Sequence, residues 1–269
     1  MAVQIIFLGT GGDSYVVGSQ IRGSGGIIIK TEKRQFHIDP GPGSLVRASQ
    51  CRINVRNNDV ILVSHNHVNH ACELNALIEA MTLSGFEKKG ILVSTNQVIN
   101  GDENSIPVLD NFHKECLLKY MVVKPGERVG IDDVDIIATK TMHHAENVGF
   151  KILYPAFTLS YVSDTSYFRE LAEEHRDSDI LILNVVGSGN EEIKGNLNSE
   201  GAEKLISAVQ PKLTVITHFG KKMIDDDPVF VARELQKKTG FQVIAAKDGM
   251  TINPSSYSAN SPQKRIVSY

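Results

Sequence analysis

The sequence predicts an α/β fold in which two β-sheets are covered by helices. Short apolar segments typical of strands dominate the first half of the chain, whereas strands and helices alternate in the second half. This order favours two covered sheets over one doubly wound sheet. Side chains able to bind a metal follow five of the predicted strands, and strand-end loops converge on one rim of a sheet.

Composition limits the classes of protein that fit. The 269 residues are 41% hydrophobic and 22% charged, with a net charge of -3, which is typical of a globular protein and gives no basic field for tight nonspecific binding of nucleic acid. Three cysteines without a paired motif, and no apolar run of membrane-spanning length, predict a cytoplasmic protein with no membrane partner. We expect one domain over residues 1–253 and a polar C-terminal tail over residues 254–269.

The first predicted strand, residues 3–8, ends in a glycine-rich turn at residues 9–13. Such a turn binds a dinucleotide only when a helix follows it directly. Residues 14–26 are rich in glycine and serine and have no helical period. We therefore predict a tight turn followed by a loop.

Two further strands, at residues 26–30 and 35–38, are joined by a polar turn. The second strand is followed by two prolines and two glycines at residues 40–43, which predict a sharp loop. This loop places the carboxylate of Asp39 at the strand end.

The most informative segment is an apolar strand at residues 60–63 followed by three histidines within six positions, His65, His67 and His70. Apolar residues then recur at helical spacing through residue 81, which predicts a helix after the turn. The first two histidines can point the same way, and the third falls into the first helical turn beside them. Neutral imidazoles are the commonest zinc ligands, so this cluster favours a metal site over packing.

Later strands also end in residues that can bind a metal. His143 and His144 follow a strand at residues 134–138, Asp164 follows a hairpin of strands at 148–153 and 157–162, and His218 follows a strand at 213–217. An irregular segment that lies over the site is predicted at residues 96–120. The remaining predicted elements are strands at residues 91–94, 122–123, 180–186 and 243–246, and helices at 167–174, 200–209 and 228–238.

In this order the motifs resemble the metallo-β-lactamase superfamily, nearest its ribonuclease Z and cyclic phosphodiesterase branches. The resemblance extends to about residue 253. The matching segments are Leu-Gly-Thr-Gly-Gly at residues 8–12, His-Ile-Asp-Pro-Gly at 37–41, Ser-His-x-His-x-x-His at 64–70, a histidine six residues before Gly149, Ser-Asp-Thr at 163–165, Thr-His-Phe at 217–219 and Ala-Lys-Asp-Gly at 246–249. The resemblance implies an αββα four-layer sandwich, with two mixed sheets flanked by helices and one or two metal ions at its edge.

The resemblance also implies which residues bind these ions. The implied ligands form two overlapping groups, which are His65, His67, His143 and Asp164 for the first ion and His70, Asp164 and His218 for the second. Asp39 would orient the ligands through hydrogen bonds. His143 fits the family spacing to Gly149 better than His144, which is a candidate proton donor, a spare ligand or a surface residue. The expected ion is Zn²⁺, with Mn²⁺ as an alternative.

Two positions depart from the family pattern. The family motif is His-x-His-x-Asp-His, and Asn69 occupies the Asp position. An amide oxygen is a weaker donor to a divalent cation than a carboxylate, so we expect the second site to be weaker or empty. Asn196 stands where the ribonuclease Z branch has a histidine that protonates the leaving group. That branch's arm for gripping tRNA also has no counterpart.

The resemblance implies a metal-dependent hydrolase that cleaves a phosphodiester, either a small cyclic nucleotide-like ester or RNA, by attack of a metal-bound hydroxide. The predicted catalytic residues are Asp164, His144 and Asn69, and two lysines at residues 221–222 are candidates for steering a phosphate. The alternatives are a lactone or thioester hydrolase of the same fold, and a degenerate, non-catalytic binding or scaffold protein. A homodimer is expected because members of the nearest branches often form one.

Overall fold

The computed structural model describes residues 3–257, which form two β-sheets with helices on their outer faces. The strands are β1 (Gln4–Phe7), β2 (Ile27–Lys30), β3 (Gln35–Ile38), β4 (Asn58–Val63), β5 (Ile91–Ser94), β6 (Lys119–Val122), β7 (Arg128–Ile131), β8 (Val134–Lys140), β9 (Val148–Leu153), β10 (Thr158–Val162), β11 (Ile180–Gly187), β12 (Leu197–Asn198), β13 (Leu213–Thr217), β14 (Val243–Ala245) and β15 (Thr251–Ile252).

The α-helices are mostly short. They are α1 (Ser14–Gly18), α2 (Ser44–Gln50), α3 (Val68–Ala71), α4 (Leu74–Thr82), α5 (Asn96–Ile99), α6 (Asn111–Cys116), α7 (Leu171–Glu174), α8 (Ser199–Val209), α9 (Lys221–Asp225) and α10 (Pro228–Thr239). Two 3₁₀ helices lie at Val55–Asn57 and Pro254–Tyr257.

Both sheets are mixed. The first sheet has the order β15-β1-β2-β3-β4-β5-β6, in which β3 to β6 are parallel and the other pairs are antiparallel. The second has the order β14-β13-β11-β10-β9-β8-β7, with β12 added beside β11. Its strands β10, β11, β13 and β14 are parallel, and β7 to β10 are antiparallel. Parallel strands end together at one edge, which brings their C-terminal loops into one place.

The side chains of β4 explain why this strand is apolar throughout. Val60 and Leu62 point into the core between the two sheets, whereas Ile61 and Val63 pack under α4 on the outer face. Successive strand residues face opposite sides, so a strand buried on both faces needs a continuous apolar run. On the second sheet, α8 and α10 cover the outer face in the same way. The predicted αββα sandwich is confirmed.

The glycine-rich turn after β1 is followed directly by a helix, so the predicted loop at residues 14–26 is wrong at its start. The side chain of Asp13 accepts a hydrogen bond from Val16 N and caps α1. A helix of five residues is too short to show a period. The amides of Gly11 and Gly12 donate to the carbonyls of Gly23 and Phe219, so the protein itself uses these amide donors.

Other local predictions are corrected by tertiary contacts. The segment at residues 96–120 contains α5, α6 and the start of β6 rather than irregular chain alone, and helix α2 was not predicted. The carboxylate of Glu73 accepts hydrogen bonds from Gly43 N and Leu45 N at the start of α2. Such a partner, 28 residues away from Leu45, leaves no local sequence signal.

The helix predicted at residues 167–174 is shorter in the structure, where only α7 (Leu171–Glu174) forms. The predicted tail begins with the 3₁₀ helix at Pro254–Tyr257, and its remaining residues lie outside the described part of the chain. Within residues 3–257, no helix has both the length and the apolar character needed to cross a membrane.

His175 is fully buried directly after α7, and neither of its ring nitrogens has a hydrogen-bond partner among the described residues. Burial, and then the charge of Lys151, lowers the pKa of His175 from 6.5 to about 3. The unfolded chain therefore binds the proton more readily than the folded one. The contribution to the unfolding free energy is complete above pH 6.5 and falls toward pH 3 by about 1.4 kcal/mol per pH unit.

We expect a His175→Leu variant to lose stability less steeply than the wild type as the pH is lowered from 7.5 to 5. The difference between their unfolding free energies should shift by about 2 kcal/mol in favour of the variant. Urea denaturation across this pH range measures it. A Leu171→Ala variant should be destabilised equally at every pH, and a pH-independent difference for His175→Leu would show that the buried imidazole is not responsible.

Candidate metal centre

The predicted ligands come from both sheets and meet at one edge of the sandwich. Each follows the end of a strand: His65 and His67 after β4, His70 in α3, His143 after β8, Asp164 after β10 and His218 after β13. Strand β4 belongs to the first sheet and β10 to the second, so the site lies at the edge of the core between the two sheets.

The first group consists of His65, His67, His143 and Asp164, whose ligand atoms all lie within 4.8 Å of one another. His67 Nδ1 lies 2.8 Å from His65 Nε2 and 3.3 Å from His143 Nε2. Asp164 Oδ2 lies 3.9 Å from His65 Nε2. Zinc ligands lie about 2.0–2.2 Å from the ion, which separates them by roughly 3 to 4 Å. The four donors therefore have the spacing of one coordination shell.

The second group consists of His70, Asp164 and His218. His70 Nε2 lies 3.3 Å from Asp164 Oδ2, and His218 Nε2 lies 3.3 Å from Asp164 Oδ1. A cavity of about 20 Å³ lies beside these rings, which is enough for one water or a small ion. Because Asp164 belongs to both groups, it can bridge two cations.

Asp39 is buried between the sheets and organises the ligands without belonging to either group. Its carboxylate accepts hydrogen bonds from Ser64 N (2.7 Å), Ser64 Oγ (2.8 Å), His70 Nδ1 (2.8 Å) and Tyr161 OH (2.6 Å). The residue has φ +51°, a left-handed conformation that costs about 1 to 3 kcal/mol for a residue other than glycine. Asp39 therefore holds the candidate ligand His70 directly and the candidate ligand His65 through Ser64.

Hydrogen bonds to Nδ1 set the tautomers of three histidines. His65 Nδ1 lies 2.9 Å from Ser64 Oγ, which donates to Asp39, and His70 Nδ1 lies 2.8 Å from Asp39 itself. His143 Nδ1 lies 2.6 Å from the carbonyl of Gly195. In the neutral ring each acceptor favours a proton on Nδ1, which leaves the Nε2 lone pair facing the centre, as a metal ligand requires.

The charges of the first group suit a cation. Burial, and then the neighbouring histidines, lower the pKa of His67 to about 4, and burial is also the main cause that lowers the pKa of His65 and of His143. These imidazoles are therefore neutral at pH 7. Burial raises the pKa of Asp164, but the adjacent His218 and His70 bring it well below its ordinary value, so the carboxylate is ionised.

His70 shows that the second group also fits a cation. Burial lowers the pKa of His70, but the carboxylates of Asp164 and Asp39 raise it more, to about 10. Its Nε2 atom is buried and lacks a hydrogen bond of good geometry within residues 3–257. The nearby Asp164 carboxylate, at 3.3 Å, satisfies this nitrogen only in part, and an incompletely satisfied buried polar atom is costly. A cation shared with Asp164 would satisfy this nitrogen and replace its proton.

Asn69 lies beside the second group but not within it. Its side-chain amide nitrogen donates to Gly12 O at 2.9 Å and lies 3.4 Å from His218 Nε2. Gly12 itself packs so closely on His218 that an added Cβ would lie 2.2 Å from the His218 carbonyl oxygen. Asn69 therefore ties the glycine-rich turn to the histidine turn instead of presenting a carboxylate to an ion.

The remaining predicted residues lie at the rim. His144 is exposed, and its ring centroid lies 4.2 Å from that of His143 and 4.6 Å from that of His67, outside both ligand groups. Asn196 is half-buried and donates to the carbonyl of Lys194 at 3.2 Å.

The two lysines at residues 221–222 are both bound to acids. Lys221 Nζ lies 2.6 Å from Asp225 Oδ1, and Lys222 Nζ lies 2.6 Å from Glu191 Oε2. A phosphate would have to compete with these carboxylates for either lysine.

Three residues that support Asp164 and Asp39 were not predicted. Asn184 Nδ2 donates to Asp164 Oδ1 at 2.8 Å and lies 3.2 Å from Tyr161 OH, and Asn147 Nδ2 donates to the Asp164 carbonyl at 2.5 Å. Asn184 carried a detectable signal, because it is a polar residue inside the apolar run of β11. Tyr161 and Asn147 had none.

Comparison with known proteins yields matches over most of the chain. Residues 34–219 match the family model of the beta-lactamase superfamily domain. The chain is 32% identical over 255 residues to the uncharacterized protein MJ1374 of Methanocaldococcus jannaschii, with 94% of this chain and 95% of that protein covered.

A ribonuclease Z of Methanopyrus kandleri is 26% identical over 175 residues, which cover 65% of this chain and 58% of that enzyme. Among solved structures, the metallo-beta-lactamase fold protein YhfI from Bacillus subtilis has a TM-score of 0.77 at 17% identity, with 94% of this chain and 99% of that chain covered. This last similarity shows the shared fold.

An Asn69→Asp variant tests the account of the second group. The added carboxylate would stand beside His218 Nε2 as a fourth donor, so we expect the affinity for a second Zn²⁺ to rise roughly tenfold or more. Titration of metal-free protein with Zn²⁺ against a chromophoric chelator resolves the two affinities. The control is Asn75→Asp in α4, where the Asn75 amide donates to Val108 O, and it should leave both affinities unchanged. Equal second-site affinities in the wild type and Asn69→Asp would refute the account.

Proposed function

The chain belongs to the beta-lactamase superfamily, and on that basis we propose that it is a metal-dependent hydrolase of phosphodiesters. The observation that carries the proposal is the pair of ligand groups joined by Asp164 at the open edge of the sandwich. Two neighbouring cations suit an ester whose attacking and leaving oxygens both need stabilisation. The ribonuclease Z relative supports a phosphodiester over a lactam.

We propose Zn²⁺ as the ion, with Mn²⁺ as the alternative. Three imidazoles and one carboxylate form a donor set typical of zinc. When bound, such ions supply Lewis acidity and lower the pKa of a coordinated water. His65, His67, His143 and Asp164 would hold the first ion, and His70, Asp164 and His218 the second.

The protein's own contribution is positioning. Asp39 holds His70 directly and His65 through Ser64, so the rings cannot rotate without breaking buried hydrogen bonds. Asn184 holds one oxygen of Asp164 in the same way. A pre-oriented site avoids reorganisation when charge develops on the substrate.

His144 is the proposed proton donor to the leaving group. It is exposed at the mouth of the site, and its ring centroid lies 4.6 Å from that of His67. The amide of Asn196 is not acidic enough to transfer a proton to a leaving group near neutral pH, so the role of acid passes to a different residue of the rim. Imidazole is the side chain best suited to this task near pH 7.

A non-catalytic binding protein of the same family is the second candidate. Asn69 and Asn196 favour it, because each replaces a group that the family uses in catalysis. A lactone or thioester hydrolase is the alternative within enzymes. Three further expectations stay predictions: the choice between a small cyclic ester and RNA as substrate, the homodimer, and the cytoplasmic location.

We expect the protein loaded with Zn²⁺ or Mn²⁺ to hydrolyse bis(p-nitrophenyl) phosphate, and a His65→Ala, His67→Ala double variant to fall to the uncatalysed background. Release of p-nitrophenolate measures the rate. His113→Gln, which changes a histidine near Asp110 and outside both ligand groups, should retain activity.

Equal rates for the wild type and the double variant would end the phosphodiesterase proposal. Hydrolysis of a lactone or thioester panel alone would favour that alternative. Bound metal with no hydrolysis of any ester would favour the binding protein.

A further inference from the structure

A polar cavity of about 240 Å³ lies next to the metal centre on the far side of the loop at residues 194–196. Its walls come from the segment after Asp164, from the loop between β11 and β12, and from the first turns of α8. None of the predicted metal ligands lines it. The cavity is therefore a separate site adjoining the proposed reaction centre.

The wall between the two sites is one residue thick. The Gly195 carbonyl accepts a hydrogen bond from His143 Nδ1 at 2.6 Å, and its amide donates to Ser166 Oγ, which lines the cavity, at 2.9 Å. A Cβ at Gly195 would lie 2.8 Å from His143 Nδ1, so glycine is needed for this close approach. A substrate with its phosphodiester at the ligands has to span only this residue to place its next group in the cavity.

Tyr167 provides an aromatic surface at this cavity. The residue is 36% exposed, and Lys204 Nζ lies 5.8 Å from its ring centroid. Lys204 is also paired with Glu200 at 2.7 Å, so its charge is already neutralised. The flat ring of any nucleobase can stack on an exposed tyrosine, because every base has a π-face.

Glu192 carries a negative charge at the cavity that is unpaired within the described part of the chain. It is exposed, and it has neither a hydrogen bond nor an ion pair with any other residue in the described range 3–257. With Lys204 and Glu200 paired, the remaining charge is negative, which disfavours a second phosphate. A carboxylate accepts two parallel N–H donors. The N1–H and N2–H₂ groups of guanine form such an edge.

We propose that this cavity is a base-binding subsite for the nucleoside part of the substrate. The base stacks on Tyr167, and a guanine edge donates to Glu192. Asn190 and Asn196 line the same cavity and add to its polar rim. This role in substrate choice rests on the proposed function, but binding of the base itself requires no hydrolysis.

Direct binding is tested by NMR titration of the full-length protein with guanosine, which carries no phosphate. We expect binding to the wild type and to Tyr167→Phe, and roughly tenfold weaker binding to Tyr167→Ala because the stacking surface is lost. The wild type should prefer guanosine to inosine, which lacks the N2 amine, and Glu192→Gln should reduce that preference. No binding of guanosine, or equal binding to Tyr167→Ala and wild type, would overturn the proposal.

Kinetics then test whether the subsite serves the reaction. Guanosine 5′-(p-nitrophenyl phosphate) and methyl p-nitrophenyl phosphate share a leaving group, but only the first carries a nucleoside. In Tyr167→Ala, the ratio of their KM values, nucleoside ester to methyl ester, should rise roughly tenfold, and Tyr167→Phe should restore it. An unchanged ratio would contradict a role for the subsite in substrate choice. Failure of the wild type to cleave either ester would refute the proposed function, and the guanosine titration would still decide whether the subsite exists.

Discussion

The hydrogen bonds accepted by the buried Asp39 carboxylate are the constraint on which the candidate metal centre depends. They reach the end of β4 through Ser64, helix α3 through His70, and the opposite sheet through Tyr161 in β10. One side chain thus fixes a ligand of each group and joins the two sheets at the edge where the site lies. Its left-handed backbone, at φ +51°, is a strained conformation that the surrounding hydrogen bonds maintain.

The two ligand groups built on this carboxylate are not equivalent. The first has three neutral imidazoles and an ionised carboxylate, which is a complete set for a tetrahedral ion. The second has only three donors, because Asn69 uses its amide to hold Gly12. We therefore expect one ion to bind tightly and the other to exchange. Asn69 in place of the family's Asp is therefore the one amino-acid difference that we expect to weaken binding of the second ion.

Most of the strands, and the candidate ligands of the histidine turn, could be predicted from the sequence because their signals are local. The apolar run of β4 and the spacing of His65, His67 and His70 are each visible within ten residues. Helix α2 could not be predicted, because Glu73, which stabilises its start, is distant in the chain. The orientation of Asn69 and the support that Asn184 gives to Asp164 depend on how the loops and strands meet, and no residue pattern encodes that directly.

The central claim is that imidazoles from both sheets bind one divalent cation. X-ray absorption spectroscopy at the zinc edge, on protein loaded with one equivalent of Zn²⁺, tests it most directly. The account predicts a coordination shell of nitrogen and oxygen at about 2.0–2.2 Å, with the outer-shell scattering of three imidazoles. A shell without imidazole scattering, or one dominated by sulfur, would contradict it.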